Sequence, residues 1–354
     1  MIKRVLKSVS ILVLIGVVLG CMLINAGTFS SSELSVTNPE AEENEGQDSL
    51  ITVGFSQVGS ESVWRSANTN SIKNALSEKN GFLLDFVNAR QKQENQIKAV
   101  RRFISQQVDY ILIAPITETG WDTILQDAKE AGIPVIIVDR MVDVEDDSLY
   151  TAFVGTDKYD EGRKAGVWLE EYEKEKFPYD ENSEEGAERP LNIVVLKGTE
   201  GSTAQIGRSK GFEDIYIKHR NWHILAEIDA DFTTLKGKEV MASLLERYDD
   251  IDVVISQNDD MAFGAIEALN EAGYTTGIDG DVAIVSFDGT KRALRMVRDG
   301  IINADIECNP IQGEMIANLI KLIEGGYSYE KINNIEELTF TIYNVNAHLN
   351  SRKY

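Results

Sequence analysis

Pro134-Val-Ile-Ile-Val-Asp-Arg140 decides the fold class. Four branched aliphatic residues follow one another without a polar break. A strand with one wet face alternates apolar and polar residues, so this run predicts a strand covered on both faces. It then stops at a carboxylate and a guanidinium. Further strands are expected at 51–56, 82–87 and 110–114. Between these runs, apolar residues fall at helical spacing: Ile72, Ala75 and Leu76 within 66–79, and Ile97, Val100 and Ile104 within 94–107. A further helix is expected at 120–131. The rhythm resumes with strands at 192–196, 224–228, 253–256 and 282–287, and helices at 204–218, 236–246 and 262–272. Regular alternation of this kind means parallel α/β. Two such runs, joined near Thr156, predict two doubly wound lobes.

Length agrees, since 354 residues correspond to roughly two domains of ~150 residues. The net charge is −23, from 35 Lys and Arg against 58 Asp and Glu. That excludes a basic face for neutralising phosphates, and so a nucleic-acid binder. It equally opposes docking of the folded surface on anionic lipid. Two cysteines, Cys21 and Cys308, cannot form a disulfide scaffold. Three histidines leave little room for a His-based metal site, and the acidic loop 143–147 lacks the glycine and spacing of a calcium loop. No metal and no cofactor are expected.

The first residues read as targeting. Lys3, Arg4 and Lys7 precede the apolar run 11–19. The run ends Val18-Leu19-Gly20-Cys21, which resembles a bacterial lipobox whose cysteine takes lipid. Residues 1–21 are therefore expected to be a lipoprotein signal, with an uncleaved membrane anchor as the alternative. Both place the remainder outside the cytoplasmic membrane. Residues 22–49 carry Glu40, Glu42, Glu43, Glu45 and Asp48 and read as a flexible acidic tether. A second acidic, breaker-rich stretch, 178–190, reads as a long surface loop.

Polar residues cluster at the strand ends: Ser56-Gln57, Asn88, Asp139-Arg140, Thr156-Asp157, Asp229, Gln257-Asn258-Asp259 and Asp288. Ligands of open α/β sheets bind beyond the carboxyl ends of the strands. If the edges of the two lobes face each other, they form a polar cleft. Planar carboxylates, amides and guanidiniums match adjacent hydroxyls, each of which donates and accepts. Trp64 and Phe55 could cover the apolar faces of a sugar ring. The alternative for any one strand-end Asp or Asn is a helix N-cap; Asp259 and Asp260 are read that way.

Val53-Gly-Phe-Ser-Gln-Val-Gly-Ser-Glu-Ser-Val-Trp-Arg65 resembles the first strand and loop of the periplasmic sugar-binding proteins of ABC transporters, type I, in the ribose/galactose-binding superfamily. The galactofuranose-binding members are the nearest in pattern. Gln91-Lys-Gln-Glu-Asn-Gln-Ile-Lys-Ala-Val100, Val138-Asp-Arg140, Asn258-Asp-Asp-Met261 and Ser286-Phe-Asp-Gly289 are similar to later segments of the family. The resemblance covers about residues 50 to 345. It implies two Rossmann-like lobes joined by three hinge crossovers, near Thr156, Asn309 and Phe340. The lobes so implied are 50–156 plus 310–340, and 157–309 plus 341–354.

Carried over residue by residue, the resemblance implies ligand contacts at Glu61, Trp64, Arg65, Asp139, Arg140, Thr156, Arg208, Asn258, Asp288 and Glu307. Val63 stands where the family pattern has glycine, and a β-branched residue there is expected to narrow the pocket. Cys308 is read as a small apolar core residue, with ligand contact as the alternative. The implied function is capture of a monosaccharide by lobe closure and delivery to a membrane permease, by a monomer and without chemistry. The alternative is a sensor that presents the sugar to a membrane receptor or kinase. An enzyme finds no support in a phosphate-cradling loop, a Gly-x-Ser-x-Gly elbow or a His-Glu-x-x-His motif. A sugar-responsive repressor would carry a basic helix-turn-helix where this chain has a signal segment and acidic tether.

Overall fold

The computed structural model of the protein describes residues 49–177 and 189–354. The expected signal segment, Cys21, nearly all of the tether and most of the acidic loop 178–190 lie outside the described residues.

The first lobe begins with β1 (Ile51–Gln57), α1 (Val63–Ala75), β2 (Phe82–Asn88), α2 (Gln93–Gln106), β3 (Tyr110–Ile113), α3 (Asp122–Glu130), β4 (Val135–Asp139) and β5 (Ala152–Gly155). The second follows with α4 (Lys158–Lys176), β6 (Leu191–Lys197), α5 (Thr203–Tyr216), β7 (Trp222–Asp229), α6 (Thr234–Leu245), β8 (Val253–Ser256), α7 (Asp259–Glu271), β9 (Ala283–Asp288), α8 (Lys291–Arg298) and β10 (Ala304–Glu307). The chain then returns to the first lobe for α9 (Gly313–Glu324) and β11 (Ile332–Asn334). It ends in the second with β12 (Thr339–Thr341) and α10 (Val345–Leu349). The sheets run β11-β5-β4-β3-β1-β2 and β12-β10-β9-β8-β6-β7. All pairings are parallel except β10 with β12. This is a type I periplasmic-binding-protein fold of two α/β lobes.

The stretch that decided the fold class behaves as its composition requires. Ile136 and Val138 of β4 enter one apolar layer, and Val135 and Ile137 enter the other. Tyr110 and Leu112 of β3 part from Ile111 and Ile113 in the same way. Each such side chain stabilises the lobe by roughly 1.5–3 kcal/mol on burial.

Three crossings join the lobes, at 155–158, 307–313 and 334–339. The third ends earlier than the boundary at residue 340 expected from the sequence. Phe340 lies on β12 in the second sheet and is fully buried in that lobe's core. A three-residue strand with one inward side chain leaves no readable period.

Helix α4 has no clear apolar stripe, and spacing did not reveal it. Its buried face is Lys158, Glu161, Gly162, Ala165, Gly166 and Leu169. Small residues are needed there because α5 packs backbone to backbone against it. A Cβ on Gly162 would stand 2.2 Å from the Arg208 carbonyl oxygen, and one on Gly211 would stand 2.0 Å from that of Tyr159. This close crossing brings Arg208 of α5 onto Glu161 of α4.

Candidate functional site

The carboxyl ends of both sheets meet at one cleft. Glu61, Ser62, Trp64, Arg65, Asp139 and Arg140 line it from the first lobe. Lys158, Ala204, Arg208, Phe232, Asn258, Asp288 and Cys308 line it from the second lobe and its crossings. The cavity there holds only about 30 Å³, far below the roughly 300–1,000 Å³ of ligand sites, so the lobes must part to admit a ligand.

Capped helix N-termini place several of these groups. Ser62 caps α1 by accepting from the Arg65 N–H at 3.0 Å, which sets Trp64 and Arg65 in the first turn. Trp64 Nε1 donates to the Cys308 carbonyl at 2.5 Å and so ties α1 to the second crossing. Asn258 caps α7, accepting from the Met261 N–H at 2.9 Å, while its Nδ2 donates to the Phe232 carbonyl at 3.2 Å. Asn258 is thus both the cap and part of the lining. Asp259 and Asp260, expected as caps, lie instead in the first turn of α7. Asp259 is fully buried and accepts from Ser286 Oγ at 2.6 Å and the Thr290 N–H at 2.8 Å.

Two strand-end carboxylates stand at positive φ, Asp139 at 64° and Asp288 at 113°. Phe232 is held likewise at 59°. L-residues adopt this region at a cost, and such strain gathers at functional sites.

Charge is dense and mostly paired. Arg65 Nη1 donates to Asp139 at 2.8 Å, and its Nε to Glu61 at 2.9 Å. Lys158 Nζ lies 3.2 Å from Asp139 and 3.3 Å from Glu161. Arg208 Nε donates to Glu161 at 2.6 Å, and its Nη2 lies 3.5 Å from Asp288. Burial works to raise the Asp139 carboxyl, but Lys158, Arg65 and Arg140 outweigh it and hold it well below its usual range. Asp288 goes the other way: burial, with Asp259 and Asp260 nearby, raises it despite Arg208. Burial and the neighbouring Arg65 lower Arg140 to about 10, so it remains a cation at neutral pH.

Arg140 is the under-used donor of the site. Its Nη1 donates to the Ile116 carbonyl at 3.2 Å, but its buried Nε has no partner. Its guanidinium lies 5.3 Å from the centre of the Phe232 ring, across the cleft. Glu61 Oε2 is likewise buried and unpartnered. A buried polar group without a partner costs about 1–3 kcal/mol, which a ligand hydroxyl can recover.

Eight of the ten residues expected to meet ligand line this space: Glu61, Trp64, Arg65, Asp139, Arg140, Arg208, Asn258 and Asp288. Thr156 and Glu307 do not. Thr156 Oγ1 donates to Glu161 at 2.7 Å and accepts from Lys158 at 2.7 Å, behind the lining. Glu307 is engaged by Arg352 at 2.7 Å and the Leu338 N–H at 3.1 Å, so it ties the second crossing to the third. Val63 is 55 % exposed and outside the lining, so it does not narrow the pocket.

Lys158, Phe232 and Cys308 were not assigned to the site from sequence. Cys308, read as apolar core, is buried but turns its Sγ to Lys158 Nζ at 2.9 Å. Burial and Glu161 raise its thiol well above the usual range, so it stays protonated. Glu161, Cys308 and Glu337 approach one another closely enough to suggest a cation site. The Lys158 ammonium already supplies the positive charge there.

The galactofuranose-binding protein YtfQ of Escherichia coli is 42% identical over 80% of this chain and 85% of its own. A Mycobacterium smegmatis protein solved in complex with β-D-fucofuranose is 41% identical, with a TM-score of 0.78, over 85% of this chain and 94% of its own. The periplasmic binding protein component of the arabinose ABC transporter from Shewanella sp. ANA-3, solved with α- and β-L-arabinofuranose, is 40% identical. Its TM-score is 0.77, over 85% of this chain and 95% of its own. Residues 53–326 match the family model described as periplasmic binding protein domain, and the chain belongs to that family.

Proposed function

We propose that this chain captures one monosaccharide in its furanose form outside the cytoplasmic membrane and delivers it to an ABC permease, without chemistry on the sugar. The observation that carries this reading is the convergence of Arg140 from one lobe with Asn258 and Asp288 from the other around one cavity. Polar groups from both lobes can be satisfied by one ligand only when the lobes are closed on it, so binding and closure are linked. Trp64 and Phe232 offer apolar faces, and Arg140 offers a donor without a protein partner. Relatives at about 40% identity were solved with five-membered sugar rings.

Delivery to a permease is favoured over presentation to a sensor because the Shewanella relative is itself an ABC-transporter component. Anchoring through a lipidated Cys21 and a monomeric state complete the reading. Calorimetric titration tests it, using galactose, arabinose, ribose and fructose, whose solutions contain furanose, against methyl pyranosides locked in six-membered rings. One-to-one binding of at least one free sugar and none of the locked forms is expected. Binding of the locked forms as tightly as the free sugars would overturn the ring assignment, and no binding at all would overturn the substrate class.

A further inference from the structure

The lobes also touch outside the lining of the ligand space. At the lip of the cleft, away from the crossings, the Glu118 N–H of the first lobe donates to the Gly201 carbonyl of the second at 2.9 Å. Beside it, the Met141 N–H donates to Thr203 Oγ1 at 3.0 Å. None of these four residues lines the ligand space.

Both sides of this contact are held in advance. Gln96, fully buried on α2, donates to the Ala114 carbonyl at 2.7 Å and accepts from the Ile116 N–H at 3.0 Å. Trp121 Nε1 donates to the Thr117 carbonyl at 2.8 Å, and the Asp143 N–H to the Glu118 carbonyl at 2.7 Å. The first-lobe lip is therefore a clamped loop, with its free N–H groups presented outward. On the opposite side, Ser202 caps α5 and fixes Thr203 as the first helical residue. Gly201 stands at φ +74°, where a side chain is strained, and a Cβ there would meet Thr117 Cγ2 at 3.6 Å. Glycine lets the second lip turn its carbonyl to Glu118.

We propose that Glu118, Met141, Gly201 and Thr203 form a latch that holds the lobes shut without contacting ligand, with Thr203 as its positioning residue. The inference rests on the reading of the chain as one that closes on a sugar. A group that stabilises only the closed state raises the apparent affinity of every ligand by one common factor. The latch thus sets how tightly the protein binds, while the pocket sets which sugar it binds.

Thr203→Val removes the acceptor and keeps the shape, and Thr203→Ser keeps the acceptor. Calorimetry with two different bound sugars should show Thr203→Val weakened roughly 2- to 10-fold for both, with their affinity ratio unchanged. Thr203→Ser should bind like the wild type. Unfolding temperatures without sugar, measured for all three, should agree and so exclude a folding defect. Solution X-ray scattering of the sugar-free chain should show a larger radius of gyration for Thr203→Val than for the wild type. Unchanged affinity, or weakening for one sugar only, would overturn the latch. If the wild type binds no sugar, the functional reading fails, and the scattering comparison still decides the latch: equal radii overturn it.

Discussion

Asp139 and Asp288 end the strands at matching positions of the two sheets, yet their surroundings push the two carboxyls in opposite directions. β4 lies third in the order β11-β5-β4-β3-β1-β2, and β9 lies third in β12-β10-β9-β8-β6-β7. Both carboxylates sit at positive φ and both line the cleft. Asp139 is surrounded by Arg65, Lys158 and Arg140 and is held ionised. Asp288 backs onto Asp259 and Asp260 and is pushed towards its neutral form. Equivalent backbone thus serves two roles. Asp139 anchors a set of buried cations that would otherwise repel one another. Asp288 presents a carboxyl whose hydrogen-bonding capacity is less committed within the protein.

Asp139→Asn is the largest perturbation. It leaves three buried cations without their shared carboxylate, and stability should fall by about 3–5 kcal/mol in urea unfolding. A loss below about 1 kcal/mol would show that Asp139 is no anchor. Asp288→Asn keeps the shape and removes a carboxyl whose ionisation burial opposes, so stability at neutral pH should not fall. Its sugar affinity should fall roughly 10- to 100-fold, because a hydrogen bond made only with ligand is lost. Equal effects of the two substitutions would show that the two carboxyls serve the same role.

pH sharpens it. A carboxyl with lowered folded pKa contributes stability above its ordinary value of 3.8 and loses it as pH falls. One with raised folded pKa contributes below 3.8 and loses stability as pH rises. Asp139→Asn should therefore flatten the acid limb of the stability profile. Asp288→Asn should instead reduce the decline above that limb. Val63→Gly should have the smallest effect: sugar affinity within about twofold of wild type, with a stability loss of about 0.5–1 kcal/mol from the helix.

The fold was legible because its central strands do not alternate. Val135 to Val138 must be buried on both faces, and only a parallel sheet covered by helices provides that. Asp139-Arg140, Asn258 and Asp288 were legible because strand ends are where such sheets bind ligands. Lys158 was not, because it opens a helix whose inward face carries Glu161, Gly162, Ala165 and Gly166 and only one large apolar residue, Leu169. Phe232 sits in a loop turned by two residues at positive φ, Asp231 and Phe232, and no periodicity marks it. Glu307 ends a strand and Thr156 follows one, as site residues do, but Arg352 and Leu338 engage the first and Lys158 and Glu161 the second, and no periodicity marks those pairings.

The most direct measurement is a crystal structure of the chain grown with the sugar that calorimetry selects. One five-membered ring is expected in the cleft, with Arg140, Asn258 and Asp288 within hydrogen-bonding distance and the two lobes shut around it. A sugar seated anywhere outside the cleft, or a six-membered ring in the cleft, would contradict the account.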